Sequence, residues 1–250
     1  MTHTASLAGP LTTGSPTEAL WRPRDTASTT TLLPVVVMHG ANGFPVDYRK
    51  PINPGAVRLA SALADAGLTC LATEMGGPQT WGSDSVLTAF DHACARLEEL
   101  GFDTDRGVLV WATSMGNWSA LRCAADRPGK VKAVVATIPL CDINDIRQRN
   151  APIPVRPDID AAWGVSFPAP IPRRGDLLAR AGAGELAGLP WRGYYSTADT
   201  VCRPETVTAL VAALGSSASA QITSTTADHS DTPISNTPTA QFVEFLRSHA

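Results

Sequence analysis

Short apolar runs alternate with amphipathic segments of helical length, and this alternation constrains the fold more than any other feature of the sequence. The run 32–38 is continuous and β-branched, which is typical of a strand buried on both faces. Residues 56–66 then show helical spacing of apolar side chains. Further strands are predicted at 68–73, 107–112, 131–138, 191–195 and 220–223, and helices at 85–100, 115–125, 176–186, 204–214 and 239–248. Strands separated by helices predict an α/β fold with a mostly parallel sheet and helices on both faces.

Two regions depart from this alternation. Residues 1–31 are rich in small and polar residues and predict an irregular lead-in to one domain over 32–250. Residues 142–175 are rich in proline and predict a short insertion between two strands. A chain of 250 residues is shorter than two domains of about 150 residues each, so one domain is expected.

Composition excludes several classes of protein. Hydrophobic residues make up 44% and charged residues 17%, with a net charge of −3, which argues against a disordered chain and against a nucleic-acid binder. No apolar run approaches the ~18–20 residues of a membrane span. The start of the sequence lacks the pattern of a secretory signal, so a cytoplasmic or otherwise non-secreted location is expected. The five cysteines have no metal-site spacing, and we expect reduced thiols and no metal site.

Polar and glycine residues gather after the predicted strands, where open parallel sheets bind their ligands. Ser114 lies between a predicted strand and a predicted helix, with the small residues Ala112 and Gly116 two positions on either side. Such a sharp turn lifts a serine hydroxyl clear of the sheet and makes it a candidate nucleophile. The N–H of Met115, at the helix N-terminus, would face an oxyanion formed there. The alternative is that Ser114 merely caps the helix.

A serine hydroxyl needs a base, and the base needs an acid that orients it. His229 follows the last predicted strand, and Asp199 follows the strand before it, so the two are the candidate base and acid. A surface histidine is the alternative for His229. The rival acids are Asp142, Asp145, Asp228 and Asp231.

Five motifs together resemble the α/β-hydrolase superfamily over roughly residues 32–248. They are VVVMHGANG (35–43), EMGG (74–77), ATSMG (112–116), YYSTADTVCRP (194–204) and TADHSD (226–231). The resemblance implies that Ser114 is the nucleophile, His229 the general base and then acid, and Asp199 its partner. It also implies an oxyanion hole from the backbone N–H groups of Met115 and Ala41, and a cap over the pocket at 142–175. Ala112, Glu74 and Ser196 depart from common residues of the family without removing a catalytic atom.

Other residues have two interpretations each. Trp81, Trp118 and Trp163 would line an apolar pocket or pack in the core and cap. Polar contacts at the mouth are predicted from Asn42, Tyr48 and Asn117. We expect His39 to shape the loop after the first strand, and Cys202 to be a packing thiol near the site.

These features support two hypotheses of function. The first is a serine hydrolase that cleaves a small-molecule or lipid-like carboxylic ester through an acyl-enzyme, without a metal or organic cofactor, its rate rising through an apparent pKa near roughly 6–7. Amide hydrolysis and acyl transfer would use the same residues. The second is a hydrolase-fold module for binding or assembly with an idle triad, for example in a larger particle such as a viral tail. Oligomeric state is left open.

Overall fold

The computed structural model describes residues 18–23, 31–45 and 52–250, and its centre is one sheet of seven strands. The strands are β1 (Ala19–Trp21), β2 (Val35–Met38), β3 (Cys70–Ala72), β4 (Val108–Thr113), β5 (Val131–Thr137), β6 (Trp191–Ser196) and β7 (Ala218–Ser224). Their order across the sheet is β1-β3-β2-β4-β5-β6-β7. Strand β1 is antiparallel to β3, and every other pair is parallel. The predicted α/β class and mostly parallel sheet are confirmed.

The helices of the described residues follow the predicted periodicity closely. They are α1 (Pro54–Asp65), α2 (Asp84–Glu99), α3 (Met115–Asp126), α4 (Ile143–Arg149), α5 (Arg156–Trp163), α6 (Leu177–Gly182), α7 (Pro204–Leu214), α8 (Asp231–Ser235) and α9 (Thr239–Arg247). None of them combines the length and the apolar character that a membrane crossing requires. Helix α6 is shorter than predicted, and the short helices α4, α5 and α8 were not predicted.

Strand β2 shows why the apolar runs are continuous. Val36 and Met38 pack on one side of the sheet, in the cluster that includes buried residues of α2 and α3. Val35 and Val37 face the other side and pack with buried residues of α1 and α9. Alternate residues of one strand therefore enter two different cores, which leaves no position of the strand for a polar side chain.

The lead-in 1–31 was predicted to be irregular, and this is wrong for part of it. Residues 19–21 form β1, which pairs with β3 and closes that edge of the sheet. Buried Glu18, just before this strand, forms an ion pair with Arg96 of α2 at 3.1 Å. A strand of three residues is too short to show an alternating pattern in sequence. Most of the remaining lead-in lies outside the described residues.

The insertion at 142–175 contains two helices, α4 and α5, and runs between the neighbouring strands β5 and β6. Pro157 occupies the first turn of α5, where proline is tolerated because an N–H at that position would have no helical acceptor. Arg147 joins the two helices through an ion pair with Asp160 at 2.6 Å. We call residues 142–175 the cap, after the insertion that the sequence predicts there.

Candidate active site

Ser114 lies in a strained turn between β4 and α3. Its φ of 52° lies in the left-handed region of the backbone, which residues other than glycine rarely adopt. The turn is crowded: a Cβ at Gly116 would lie 2.2 Å from the carbonyl oxygen of Met38, and one at Gly40 would lie 3.1 Å from Cβ of Ser114. Strand β2 and helix α3 therefore approach so closely that only glycine fits at 116. This explains the pattern of small residues around Ser114.

Ser114, His229 and Asp199 form an unbroken chain of hydrogen bonds. Nδ1 of His229 lies 2.8 Å from Oδ2 of Asp199, and Nε2 lies 2.8 Å from Oγ of Ser114. Because a carboxylate only accepts hydrogen bonds, Nδ1 carries the proton, and Nε2 of the neutral ring accepts from the serine hydroxyl. The structure brings together the three residues that the sequence analysis selected from three distant segments.

Asp199 is buried, and its second carboxylate oxygen is also engaged. Oδ1 accepts hydrogen bonds from the backbone N–H groups of Val201 and Cys202, at 2.9 and 2.7 Å. The side chain is thereby fixed in one orientation, with Oδ2 directed at the imidazole. The two carboxylate oxygens therefore have separate partners, the backbone of the acid loop and the ring of His229.

The rival acids have other partners. Asp142 caps the N-terminus of α4. Asp145 forms ion pairs with Arg149 and Arg203. Asp231 accepts from the N–H of Gly55 and from Ser235, so it does not contact the imidazole.

Asp228 joins the acid loop to the histidine loop. Its Oδ1 accepts from the backbone N–H groups of Thr200, at 2.8 Å, and of His229, at 2.7 Å. The hydroxyl of Thr200 also donates to this carboxylate. Asp228 therefore holds in register the two loops that carry Asp199 and His229, although it does not touch the ring.

The surroundings of His229 favour its protonated form. Burial works against protonation, but the hydrogen bond to Asp199 and the charge of its carboxylate favour it, and the pKa of His229 is raised above its ordinary 6.5. Burial raises the pKa of Cys202, so that its thiol is uncharged at neutral pH. The Asp199 carboxylate is then the charge that stabilises the imidazolium. The pKa that controls the rate is therefore expected above the roughly 6–7 of an ordinary histidine.

Two backbone N–H groups beside Ser114 are unused. Those of Ala41 and Met115 donate to no acceptor among the residues that the structure describes. Met115 is the first residue of α3, where helical N–H groups lack acceptors, and Ala41 lies in the loop after β2 and lines the same cavity as Ser114. Both remain candidate donors to an oxyanion.

A cavity of about 250 Å³ opens beside Ser114 and His229. Trp81 and Asn42, both predicted to contact substrate, line it. Most of the other described lining residues are apolar and come from the ends of β-strands, the cap and the acid loop: Ile138, Leu140, Ile146, Ile153, Val155 and Val201. Among the described lining residues, His229 is the only side chain that can carry a positive charge. The cavity therefore suits an uncharged, apolar group.

Trp118 and Trp163 do not line this cavity, and of their two predicted roles the structure supports packing in the core and the cap. Trp118 is fully buried, and its indole N–H donates to the carbonyl of Gly175 at 3.1 Å. The indole N–H of Trp163, in α5, donates to the backbone carbonyl of Trp81 at 3.0 Å and so helps to fix the position of that cavity residue. The sequence located both tryptophans near the site but could not give the rotation of their helices.

The polar contacts predicted at the mouth also divide. Asn42 is exposed and accepts from Gln79 at 2.7 Å. Asn117 is fully buried and joins Leu140 to Trp191, so it does not reach the mouth. Tyr48 lies outside the described residues.

His39 and Cys202 are both close to the site. The ring nitrogens of His39 lie 2.8 Å from the carbonyl oxygen of Gly40 and 2.9 Å from that of Glu74, in agreement with a role in shaping this loop. Cys202 lines the cavity next to His229 and contacts the catalytic candidates more directly than its interpretation as a packing thiol predicted. Cys202 follows Asp199 by three residues, but its distance in sequence from His229 hid this contact.

Solved structures with a similar fold span nearly the whole chain. A monoacylglycerol lipase from Paleococcus ferrophilus has 19% sequence identity and a TM-score of 0.60, with 93% of this chain and 98% of that chain covered. An S-formylglutathione hydrolase from Agrobacterium tumefaciens has 15% identity and a TM-score of 0.63, with 100% and 99% covered. A monoglyceride lipase from Saccharomyces cerevisiae has 14% identity and a TM-score of 0.62, with 100% and 97% covered.

No protein-family model and no curated protein matches the sequence. The likeness to solved structures is therefore one of fold. Together with the sheet order and the helices on both faces, it gives the chain the α/β-hydrolase fold that the sequence motifs resemble.

Proposed function

We propose that this chain with the α/β-hydrolase fold is a serine hydrolase that cleaves small carboxylic esters with apolar acyl groups. The observation that carries the proposal is the hydrogen-bonded chain from Ser114 through His229 to Asp199, at the wall of an apolar cavity. If Ser114 only capped α3, its hydroxyl would accept from a backbone N–H of that helix. It makes no such hydrogen bond, and its hydroxyl contacts His229 instead.

In the first half of the reaction, neutral His229 takes the proton of Ser114 at Nε2 while Oγ attacks the ester carbonyl carbon. The negative charge moves to the carbonyl oxygen, where the N–H groups of Met115 and Ala41 are the proposed donors. Asp199 stabilises the imidazolium without taking its proton. The tetrahedral intermediate then collapses, and the alcohol leaves with the proton from His229.

In the second half, water replaces the alcohol. His229 takes a proton from the water molecule as its oxygen attacks the acyl carbon bound to Ser114. Collapse of the second intermediate breaks the Oγ–carbon bond, releases the acid, and returns the proton from His229 to the serine. The proposed donors serve both intermediates, and each such donor typically contributes ~10²–10³ in rate.

The size and lining of the cavity support a small, uncharged substrate. Its volume of about 250 Å³ is less than the ~300–1,000 Å³ of sites for drug-sized ligands. Apolar side chains from the cap, such as Ile146 and Val155, are suited to a hydrocarbon acyl chain. We therefore expect acetate and butyrate esters to be cleaved with a higher kcat/KM than dodecanoate esters.

The test combines covalent labelling with turnover. A fluorophosphonate probe should label the wild-type protein and fail to label Ser114→Ala, whose kcat/KM on p-nitrophenyl butyrate should fall at least roughly 10⁴-fold. Ser119→Ala is the matched control, since Ser119 is a buried serine of the same helix outside the cavity. It should label and turn over like the wild type.

A folded protein that neither labels nor cleaves any ester of the panel would contradict the proposal. That result would favour the binding or assembly module with an idle triad. Labelling of Ser114 together with cleavage of anilides in preference to esters would retain the nucleophile and overturn the ester specificity.

A further inference from the structure

Three side chains with different metal-binding atoms meet at the acid loop. A carboxylate oxygen of Asp199, the sulfur of Cys202 and a ring nitrogen of His229 all lie within 4.8 Å of one another. The hydrogen bond from the N–H of Cys202 to Oδ1 of Asp199, at 2.7 Å, turns the loop back so that the thiol lies beside the carboxylate. The hydrolysis proposed above uses Asp199 and His229 but assigns no role to this thiol.

The cluster is reachable from the substrate cavity. Cys202 and His229 both line the cavity of about 250 Å³, next to Ser114. A small ion that enters the cavity would therefore meet the sulfur and the imidazole without passing through packed protein. The other four cysteines are buried outside this group of ligand atoms.

We propose that Asp199, Cys202 and His229 form a binding site for a soft divalent cation such as Zn²⁺ or Cd²⁺, and that the bound cation blocks hydrolysis. Thiolate, imidazole and carboxylate are the three ligand types that zinc takes from proteins, with water as the fourth ligand. The thiol releases its proton to solvent when its sulfur binds the cation, and if the cation binds Nδ1 of His229, the proton of that nitrogen moves to Nε2.

The geometry requires a modest local movement. Zinc bonds of ~2.0–2.3 Å at tetrahedral angles separate the ligand atoms by roughly 3.3–3.6 Å. The ligand atoms, which lie within 4.8 Å of one another, therefore have to move closer together to bind one cation. Nδ1 of His229 and Oδ2 of Asp199, now 2.8 Å apart, have to move further apart. We expect the partly exposed ring of His229 to make most of this movement, because Asp199 is buried and held by two backbone N–H groups.

The inhibition follows from the use of the ring nitrogens. Nδ1 of His229 is engaged with Asp199 and Nε2 with Ser114. A cation at either nitrogen breaks the chain of hydrogen bonds that activates the serine. This blocking effect rests on the proposed function, but the binding of the cation does not.

The binding test uses Ser114→Ala as the parent protein, so that its outcome is independent of catalysis. Titration with Cd²⁺ should produce the ultraviolet charge-transfer absorbance of a cadmium–thiolate bond. The added change Cys202→Ser should abolish this absorbance and weaken binding at least about tenfold. Cys94→Ser is the matched control, because Cys94 is a buried thiol of α2 outside the cluster. It should leave the absorbance unchanged. Cys202→Ala serves as a second variant should the serine impair folding.

The activity test uses the otherwise wild-type chain. Zn²⁺ should inhibit ester cleavage, EDTA should reverse the inhibition, and Cys202→Ser should raise the inhibitory concentration at least about tenfold. Equal cadmium absorbance, or equal inhibition by zinc, with and without Cys202 would overturn the proposed site. Binding that depends on Cys202 in a protein without ester cleavage would retain the site and reject the proposed function. If the protein cleaves esters but its cation binding does not depend on Cys202, the proposed function is retained and the proposed site is rejected.

Discussion

At the scale of single residues, the hydrogen bond between Asp199 and His229 determines which ring nitrogen can accept the serine proton. With Nδ1–H donated to the carboxylate, Nε2 is left free to act on Ser114. The same carboxylate stabilises the imidazolium and raises the pKa of His229. The base must be neutral to work, so ester cleavage should increase with pH through a pKa that lies above 6.5.

Asp199→Asn should change this profile in a defined direction. Loss of the negative charge removes the main stabilisation of the imidazolium, so the pKa of His229 falls and the pH of half-maximal kcat/KM moves toward acid. The amide also permits the wrong tautomer, and kcat should decrease by up to ~10⁴-fold. The measurement is kcat/KM for a short ester across the pH range.

Asp228→Asn is the control for that experiment. It removes a charge from the residue next to His229, but the amide oxygen can still accept from the N–H groups of Thr200 and His229. The pH of half-maximal kcat/KM should therefore shift less in Asp228→Asn than in Asp199→Asn. If both variants shifted equally, the pKa of His229 would reflect general charge instead of its contact with Asp199.

At the scale of secondary-structure elements, helix α4 of the cap supports the acid loop. Arg149 donates to the carbonyls of Thr200 and Val201, at 3.2 and 2.9 Å, and also to the carboxylate of Asp145. Asp145 in turn pairs with Arg203, at the start of α7. The part of the loop that follows Asp199 is therefore held at three residues by one helix of the cap.

Arg149→Met should lower catalysis through this loop. The change leaves two loop carbonyls without their donor, and misplacement of Asp199 should reduce kcat roughly tenfold with a smaller effect on KM. The measurement is the separate determination of kcat and KM on p-nitrophenyl butyrate. Arg156→Met is the control, because Arg156 donates to carbonyls at the end of α4 and not to the acid loop. An equal loss of kcat in both variants would indicate general loosening of the cap.

At the scale of the whole molecule, β1 extends the sheet beyond the part that the sequence predicted. Trp21 is buried in this strand, in the core that also contains residues of α1 and α9. It lies at the edge of the sheet formed by β1 and β3, whereas Ser114 follows the central strand β4. Stability and catalysis should therefore separate at this position.

Trp21→Ala should lower the free energy of unfolding by about 3–5 kcal/mol, as expected for a large buried aromatic side chain. The kcat of the folded variant at moderate temperature should be unchanged. Urea unfolding monitored by circular dichroism measures the first quantity. Arg22→Ala, at the half-buried residue just after the strand, should stay within about 0.5 kcal/mol of the wild type. A loss below about 1 kcal/mol for Trp21→Ala would mean that β1 contributes little to the core.

The sequence predicted the positions of some site residues and not of others, and the difference has a physical cause. Ser114 could be located because β2 and α3 approach so closely that Gly116 is required, and His229 and Asp199 because parallel strands end at one edge of the sheet. The tryptophans at 118 and 163 could not be assigned, since a fraction of a helical turn decides whether a side chain faces the cavity or the core. The contact of Cys202 with His229 depends on how two loops fold back, which no spacing in the sequence encodes.

The position of the cap has a consequence for how selectivity could be changed. Strands β5 and β6 are adjacent and parallel, so the chain between them can vary in length without disturbing their pairing. Ser114, Asp199 and His229 all lie outside that stretch. For the proposed hydrolase, recombination confined to residues 150–175, which spares Asp145 and Arg149, should alter acyl preference through Ile153 and Val155 and leave the bond-cleaving residues in place.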